Sequence, residues 1–343
     1  MKKHFPLIVK ITLISVYAIF LAGSIVRMTG SGMGCPDWPK CFGYYIPPTS
    51  EEQITWQPNK EYKKGTIIVK DEALFVAESD LKTSREFNLN NWNKYTKHNY
   101  AKFNKYHTWT EYINRLASVL SGFVFLFFVY VAAKFWKENK TIPILAFSAF
   151  FLMLFEAWLG KTVVDTNLKP TIITIHMVAG LIIVALLLWL LFMVSKKPLS
   201  STQNNIIKHN SLFSKLIIIS VIFSLIQIAM GTQVRQFIDE QVKLYGFENK
   251  HYSLMNPSFK FYFHRSFTIA IVLVNLGMFY LNQIKDLGYK LVNWIVFLIF
   301  LETITGILMY YAEFPLGTQA VHLLAGAILF GLQFYLWLQS RES

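Results

Sequence analysis

Long unbroken hydrophobic runs, separated by short polar stretches, dominate the pattern of this chain. Each of the eight longest approaches or exceeds the ~20 residues that an α-helix needs to cross a bilayer. They lie at about 8–27, 111–133, 143–164, 171–194, 212–232, 261–282, 291–311 and 317–338. Because lipid offers no hydrogen-bond partners to the backbone, runs of this length predict helices and not barrel strands. The expected fold is therefore an all-α membrane protein with eight transmembrane helices.

The composition and the distribution of charge add a topology to this fold. Hydrophobic residues make up 54% of the chain and charged residues 15%, which excludes a soluble, disordered or nucleic-acid-binding protein. The net charge of +13 comes mainly from Lys and Arg at the two termini and near 134–142, 195–215 and 283–290. Because positively charged loops face the cytoplasm, we expect both termini inside, the 28–110 loop outside, and the chain in the cell membrane.

The sequence contains an internal repeat of two four-helix units. Identical residues recur at a constant offset of 146 between the third and fourth spans and the seventh and eighth. These pairs are Glu156 and Glu302, Gly160 and Gly306, His176 and His322, Ala179 and Ala325, and Gly180 and Gly326. Further matches are Gly23 with Gly231, Arg27 with Arg235, and Asn114-Arg115 with His264-Arg265. Because each unit has an even number of spans, we expect two parallel copies related by an axis along the membrane normal.

The two units differ by one insertion. Arg27 and Asn114 are 87 positions apart, whereas Arg235 and His264 are 29 apart, so the first external loop carries about 58 extra residues. This loop is polar and has no period from which elements can be assigned. The predicted organisation is a first helix over 1–27, an external loop over 28–110, the rest of the N-terminal unit over 111–200, and a C-terminal unit over 201–343.

Three of the eight histidines lie inside predicted helices at similar depth. His176, His264 and His322 each follow the outer end of an even-numbered span by a few residues. A polar side chain within the membrane usually marks a functional site. The two cysteines lie outside the membrane and no carboxylate cluster accompanies the histidines, which excludes thiolate and di-metal sites. Two histidines from facing helices suit axial ligation of haem iron, and His264 with His322 supplies that pair in the C-terminal unit.

The corresponding positions of the N-terminal unit are Asn114 and His176. A neutral amide is a poor iron ligand, so this unit would hold a haem through one histidine and stay chemically open. Glu111 lies on the same helix face as Asn114, and its counterpart in the second unit is Phe261. The acid occurs only in the unit whose ligand pair is incomplete. This indicates a group that acts in the reaction, as a general acid–base or as a stabiliser of positive charge. The alternative is an acid at a helix start, half in water and favoured by the helix dipole.

Several other polar residues lie near these sites or outside the first span. Arg265 beside His264, and Arg115 in the other unit, would contact haem propionates or act as interfacial anchors. Glu156 and Glu302 occur in both units, and we interpret them as structural acids bonded between helices. Two cysteines, Cys35 and Cys41, follow the first span on the oxidising side and can form a disulfide facing the outer compartment. That pair would be a structural clip or a redox pair.

Taken together, these residues resemble the heme A synthase family over essentially the whole chain. The resemblance rests on the run from Gly30 to Cys41, on Glu111 to Arg115, on Gly231 to Arg235, and on the three intramembrane histidines. It implies oxidation of the C8 methyl of haem O to the formyl group of haem A through two successive hydroxylations. It also implies a resident b-type haem in the C-terminal half, substrate haem in the N-terminal half, and a membrane enzyme that supplies haem O.

The same resemblance implies a role for each site residue. His264 and His322 match the cofactor ligands, and His176 matches one substrate-side ligand. Glu111 matches the catalytic acid, and Cys35 with Cys41 matches the external pair.

The chain departs from the family pattern at Asn114, where many members carry His. The substrate-side coordination is therefore open, and His107, two turns earlier, is a candidate replacement ligand. Two other functions also fit parts of the pattern. A b-type electron carrier would need His264 and His322 but not Glu111, and a haem transporter or chaperone would need no reaction at all.

Overall fold

Eight long α-helices make up most of the protein in a computed structural model that describes residues 2–71, 73–96, 103–166, 168–195, 208–246, 252 and 254–341. They are α1 Phe5–Met28, α2 Lys105–Ala133, α3 Thr141–Asp165, α4 Pro170–Val194, α5 Ser211–Tyr245, α6 Phe259–Ile284, α7 Leu291–Tyr311 and α8 Thr318–Ser340. All eight are long and apolar enough to cross a membrane. The predicted all-α fold with eight spans is confirmed. The predicted boundary between the units, at 200 and 201, lies outside the described residues.

Two helices extend beyond their predicted ends on the polar side. α5 continues to Tyr245, beyond the predicted end of the fifth run at 232, so the whole motif from Gly231 to Arg235 lies inside this helix. The prediction stopped where apolar residues stop, but an ion pair between Arg235 and Asp239 links the next turn at i,i+4 spacing. α2 begins at Lys105, where the Asn104 side chain accepts hydrogen bonds from the first turn. The external loop, predicted to extend to 110, therefore ends at Asn104.

The helices form two groups, α1–α4 and α5–α8, which meet through α1, α4, α5 and α8. Small residues allow α1 to pack closely against α4 and α8. A Cβ added at Gly180 would lie 2.9 Å from the Phe20 ring, and one at Gly331 would lie 2.3 Å from the Tyr17 hydroxyl. This pattern of neighbours is the one that a two-fold relation between the units would produce. The parallel repeat itself stays a prediction.

A buried polar cluster joins three helices of the second group. Ser220 of α5 donates to Asn275 of α6 over 2.8 Å, and Gln333 of α8 donates to Ser220 over 2.8 Å. Hydrogen bonds between membrane helices replace partners that lipid cannot provide. This cluster fixes α5, α6 and α8 relative to one another beneath the candidate site.

The external loop forms a small β domain, whereas the sequence alone had assigned it no elements. Its strands are β1 Glu61–Tyr62, β2 Ile67–Lys70, β3 Ala73–Ala77, β4 Leu81–Lys82 and β5 Trp92–Lys94. β1 pairs with β4, and β2, β3 and β5 form a second antiparallel sheet in that order. Strands of two to five residues are too short for a hydrophobic period to be read. The apolar core beneath the second sheet includes Cys35, Cys41 and Phe42.

Candidate functional site

His264 of α6 and His322 of α8 line the same cavity, which has a volume of about 340 Å³. The cavity lies among the helices of the second group and is bounded on one side by residues of α1 and α4, including Arg27. This volume is in the range of small-molecule and cofactor sites. Asn114 and His176 are not among the described residues that line it. The predicted cofactor ligands therefore share one cavity, and the predicted substrate-side residues lie elsewhere.

An acid on the preceding helix faces the histidine at the equivalent position of each unit. Glu156 Oε2 lies 2.7 Å from His176 Nδ1, and Glu302 Oε2 lies 3.1 Å from His322 Nδ1. Metal-binding histidines usually donate their second ring N–H to such a group, which leaves Nε2 for the metal. These contacts agree with the expectation that both acids bond between helices. In each unit the residue that the acid contacts is a predicted haem ligand.

A glycine on the preceding helix faces each of the four predicted ligand positions. The pairs are Gly23 with Asn114, Gly160 with His176, Gly231 with His264, and Gly306 with His322. A Cβ added at these glycines would lie between 3.2 and 4.0 Å from the side chain opposite. The tightest pair is Gly231 with His264. Each helix pair thus approaches closely enough to enclose the side chain, and Asn114 occupies the position of an imidazole.

His264 and His322 are held in different ways. His322 Nδ1 also lies 2.9 Å from the Thr305 hydroxyl. For His264, the backbone carbonyl accepts from Gln227 Nε2 over 3.0 Å, and Gln227 also donates to Thr268 over 2.8 Å. The buried Nδ1 of His264 has no hydrogen-bond partner within the described part of the chain. His322 is thus oriented through Nδ1, as is usual for a histidine that binds a metal, whereas the ring of His264 is positioned by its packing against Gly231.

Glu111 is buried beneath the disulfide loop, where both carboxylate oxygens accept hydrogen bonds. The Cys35 N–H donates to Oε2 over 2.8 Å, and the Arg115 guanidinium forms an ion pair with Oε1. Glu111 is 3% exposed and lies in the second turn of α2. A half-solvated acid at a helix start was one interpretation, and it is wrong for this residue.

Arg115 connects this acid to the loop that carries the disulfide. Its Nη1 donates to the backbone carbonyls of Asp37 over 2.9 Å and Lys40 over 2.8 Å. The guanidinium therefore binds two backbone carbonyls and the Glu111 carboxylate. Its contact with a haem propionate stays a prediction. The same holds for Arg265, which lines the cavity with its guanidinium 5.3 Å from the centre of the Tyr262 ring.

Gly34 lets the disulfide loop lie directly on the first turns of α2. A Cβ at Gly34 would be 2.5 Å from the backbone of His107, and the Thr108 hydroxyl donates to the Gly34 carbonyl over 2.8 Å. His107 contributes its backbone to this contact, and its role as a replacement ligand stays a prediction.

The predicted disulfide between Cys35 and Cys41 is present. The pair was also expected to be exposed to the outer compartment, and that exposure is wrong because the two residues are 0% and 1% exposed; the side of the membrane on which the loop lies stays a prediction. They are buried because they pack with Phe42 and the sheet of the β domain. In the same loop, burial raises the pKa of Asp37, although the Gly43 N–H, 2.9 Å from Oδ2, acts in the opposite direction.

Several residues at the site have roles that sequence reasoning missed. Gln227 and Thr305 fix the ligand helices, and Asp239 forms ion pairs with both Arg27 and Arg235. The two arginines were visible as a repeated motif, four residues after a repeated glycine. That spacing puts each arginine one helical turn beyond a glycine that faces a predicted ligand. The repeated spacing is therefore the sequence signal that these arginines lie near the site.

Comparison with known proteins finds a matching family model and several similar proteins that carry the same name. A family model described as "Cytochrome oxidase assembly protein", COX15-CtaA, matches residues 7–88 and 66–334. The heme A synthase of Alkalihalophilus pseudofirmus is 22% identical over 98% of this chain and 97% of its own length. That of Listeria monocytogenes serotype 4a is 21% identical over 100% of this chain and 97% of its own. With the heme A synthase of Shewanella oneidensis, 24% identity covers 53% of this chain and 43% of that protein.

Proposed function

The chain belongs to the COX15-CtaA family of cytochrome oxidase assembly proteins, and from this premise we propose that it acts as a heme A synthase. The proposed reaction oxidises the C8 methyl group of haem O in two successive hydroxylations. Each hydroxylation replaces one C–H bond of the methyl group by a C–OH bond: with water as the oxygen source, two electrons and two protons pass to an external electron acceptor. Loss of water from the second product, a geminal diol, gives the formyl group of haem A. The observation that carries the proposal is a contrast between the halves: two histidines line one cavity in the C-terminal half, whereas the N-terminal half has a buried acid, Glu111, at the position that corresponds to Phe261.

In this proposal the C-terminal cavity would hold a resident b-type haem, and His264 and His322 are the residues that would bind its iron. The support is their position on one cavity and the orientation of His322 by Glu302 and Thr305. A haem bound there would supply one-electron chemistry. The contribution of the protein is to fix both imidazoles and to exclude water from between the helices.

The N-terminal half would bind the substrate, haem O, through His176. Glu156 lies 2.7 Å from His176 Nδ1, which leaves Nε2 as the ligand atom. Asn114 replaces the second histidine, so the substrate would be held by one strong ligand and remain exchangeable. Glu111 lies one turn from Asn114 and is the proposed catalytic group. As a carboxylate with two donors, it can stabilise positive charge near the reacting carbon or accept a proton from it.

The disulfide loop would control the position of Glu111. One carboxylate oxygen is held by the Cys35 N–H and the other by Arg115, which is itself held by two carbonyls of the loop. Opening the disulfide would release the loop and both of these contacts. This is the form in which we propose a redox role for Cys35 and Cys41.

For the cellular setting, we propose that the chain lies in the cell membrane with both termini in the cytoplasm. Haem O would come from a membrane enzyme that produces it. Because haem O is apolar apart from its propionates, transfer within the bilayer would avoid its release into water.

The function is tested by adding haem O to membranes that contain the full chain and analysing the extracted haems. Hydroxylated haem and haem A are expected, and membranes without the chain are the control. Reversible reduction with unchanged haem would instead favour an electron carrier. Transfer of unchanged haem to an acceptor protein would favour a transporter.

The cofactor ligands are tested separately in the purified protein. Replacing His264 or His322 by Ala should abolish the low-spin haem b spectrum, because one axial ligand is lost. His209→Ala, in a connection between spans, is the matched control. Retention of the spectrum in both single variants would show that the haem is bound elsewhere.

A further inference from the structure

Two arginines and one acid form a cluster at the outer end of the C-terminal cavity, where the two halves of the protein meet. Arg27 of α1 and Arg235 of α5 donate to opposite oxygens of Asp239, over 3.0 and 2.8 Å. Arg235 also donates to the backbone carbonyl of Arg27 over 2.8 Å. Both arginines line the cavity that contains His264 and His322, and each side chain is 22% exposed. The cluster therefore belongs to the wall of the cavity.

The position of Arg235 relative to the ligands follows from helix geometry. Gly231 is the residue of α5 against which His264 packs, with 3.2 Å between its ideal Cβ and His264 Cε1. Arg235 is four residues further along α5, on the same face and about one turn closer to the outer end. Arg235 therefore lies about one helical turn outward of the level at which the imidazole enters the cavity.

The charge balance of the cavity favours an anionic group at this end. The Arg, Lys, Asp and Glu residues that line it, within the described ranges, are Arg27, Arg235, Arg265 and Glu302. Glu302 is at the level of His322, which it contacts. Asp239 compensates only one of the two arginines that it binds. Arg235 Nε is buried without a hydrogen-bond partner among the described residues, and such a donor is costly to leave unpaired.

We propose that Arg235 and Arg27 bind the propionate carboxylates of the resident haem, and that Asp239 holds both guanidinium groups in place. The inference rests on the proposed function, because it assumes that His264 and His322 bind haem. Arginine suits this role because its planar donors match the two oxygens of a carboxylate. Since Arg27 belongs to the N-terminal half, the cofactor of one half would be bound partly by the other.

The test compares two porphyrins with the same iron ligation and different charge. Full-length protein is purified without haem and titrated with haem b and with haem b dimethyl ester, which lacks free carboxylates. The wild type should bind haem b more tightly than the ester. Arg235→Gln should weaken binding of haem b by about tenfold or more and leave the ester almost unaffected. Arg27→Gln should act in the same direction.

Further variants separate this effect from misfolding and from other arginines. Arg235→Lys keeps a positive charge and should retain part of the preference for free carboxylates. Asp239→Asn removes the charge that holds both arginines in place, and should reduce the preference for free carboxylates less than Arg235→Gln does. Arg341→Gln, at the opposite end of α8, is the matched control and should behave as the wild type.

Each remaining outcome has a distinct meaning. If Arg235→Gln and Arg27→Gln keep the wild-type preference while His264→Ala loses both porphyrins, the arginine proposal is overturned and the haem site stands. If Arg265→Gln alone removes the preference, the carboxylates bind there and the proposal is equally wrong. If His264→Ala and His322→Ala bind both porphyrins as the wild type does, the proposed haem site itself fails.

Discussion

At the scale of single residues, two kinds of buried acid are distinguished by their partners. Glu111 accepts from a backbone N–H and from Arg115, so its charge is compensated before any substrate is present. Glu302 and Glu156 each contact an imidazole, whose charge depends on its protonation. The first environment suits a reacting carboxylate, and the second suits an acid that orients a metal ligand. Substitution by Gln should therefore have different effects at these positions.

Glu111→Gln keeps the size of the side chain but removes its charge and its capacity to exchange a proton at neutral pH. We expect haem A formation to fall by about 10²-fold or more, with the haem b spectrum unchanged. Extracted haems and the optical spectrum of the same preparation measure the two effects. Glu138→Gln, at an exposed acid that pairs with Lys2, is the matched control. Normal turnover in Glu111→Gln would exclude this residue from the reaction.

Glu302→Gln should act on the resident haem and not on the substrate. Loss of the carboxylate makes the His322 imidazole a less basic ligand to iron. The midpoint potential of the haem should therefore rise, and haem retention should fall by about 10–100-fold. A redox titration followed optically measures the midpoint potential, and the haem content of the purified protein measures retention. Glu156→Gln is the internal comparison, because it should leave the b haem intact and weaken binding of haem O. Equal effects of the two substitutions on the b haem would contradict the assignment of one ligand set to each half.

The sequence predicted some of these residues and not others, for a physical reason. His264, His322 and Glu111 were identified because an intramembrane polar group, or an acid in only one repeat, is unusual in itself. Thr305 and Asp239 were not identified, because hydroxyl groups and acids near helix ends are common. Only the fold brings Thr305 to 2.9 Å from His322 and Asp239 between two arginines.

At the scale of the helices and strands, the glycines that face the ligand positions decide how closely neighbouring helices approach. The eight spans could be predicted from hydrophobic runs alone, because each run is longer than the roughly 10–14 apolar residues that are usual for a buried helix of a soluble domain. The end of α5 and the start of α2 could not, because their polar turns are stabilised by specific side chains. The β domain was missed for a different reason, since its short strands depend on tertiary contacts around the disulfide.

Gly231→Ala tests the contact between α5 and α6. The added methyl group would lie 3.2 Å from His264 Cε1, so the imidazole or the helix must shift. We expect a changed low-spin spectrum and a several-fold loss of haem retention, because an axial ligand is displaced. Gly277→Ala in α6 has no atom within 4 Å of the new Cβ and is the matched control. An unchanged spectrum in Gly231→Ala would show that α5 does not set the position of His264.

Replacing both Cys35 and Cys41 by Ser tests the link between the external domain and Glu111. The disulfide closes a separation of only six residues, so its loss should affect the global stability of the helices little. We expect the b haem to be retained and haem A formation to fall, because the loop no longer fixes both carboxylate oxygens of Glu111. Limited proteolysis should show faster cleavage within 28–104. Full activity of the double variant would mean that the loop is not needed to position the acid.

At the scale of the whole molecule, two groups of four helices carry unlike sites and share one boundary. Arg27 and Arg235 occupy equivalent repeat positions, yet both bind Asp239 of the second group. Apart from the inserted loop, the polar positions near the predicted ligands that differ between the two groups include Asn114, Glu111 and Asp239.

The contacts between connections also support the predicted topology. Lys2 pairs with Glu138, which joins the N-terminus to the connection after α2. Lys208 lies 3.6 Å from Asp286, which joins the connection before α5 to the one after α6. These basic connections therefore lie together in pairs, as expected if they share one face of the membrane. From the positive-inside rule we expect that face to be cytoplasmic and the β domain to lie outside.

Single introduced cysteines test this orientation, because both native cysteines are buried in a disulfide and do not react with a thiol reagent. Ser50→Cys introduces an exposed thiol in the external loop, and Lys137→Cys introduces one in the connection after α2. A membrane-impermeant maleimide should label the first variant in intact cells and the second only after permeabilisation. The unsubstituted chain is the control and should stay unlabelled in both conditions. The reverse pattern would put Glu111 and the disulfide loop on the cytoplasmic side, where reducing conditions would not maintain the disulfide.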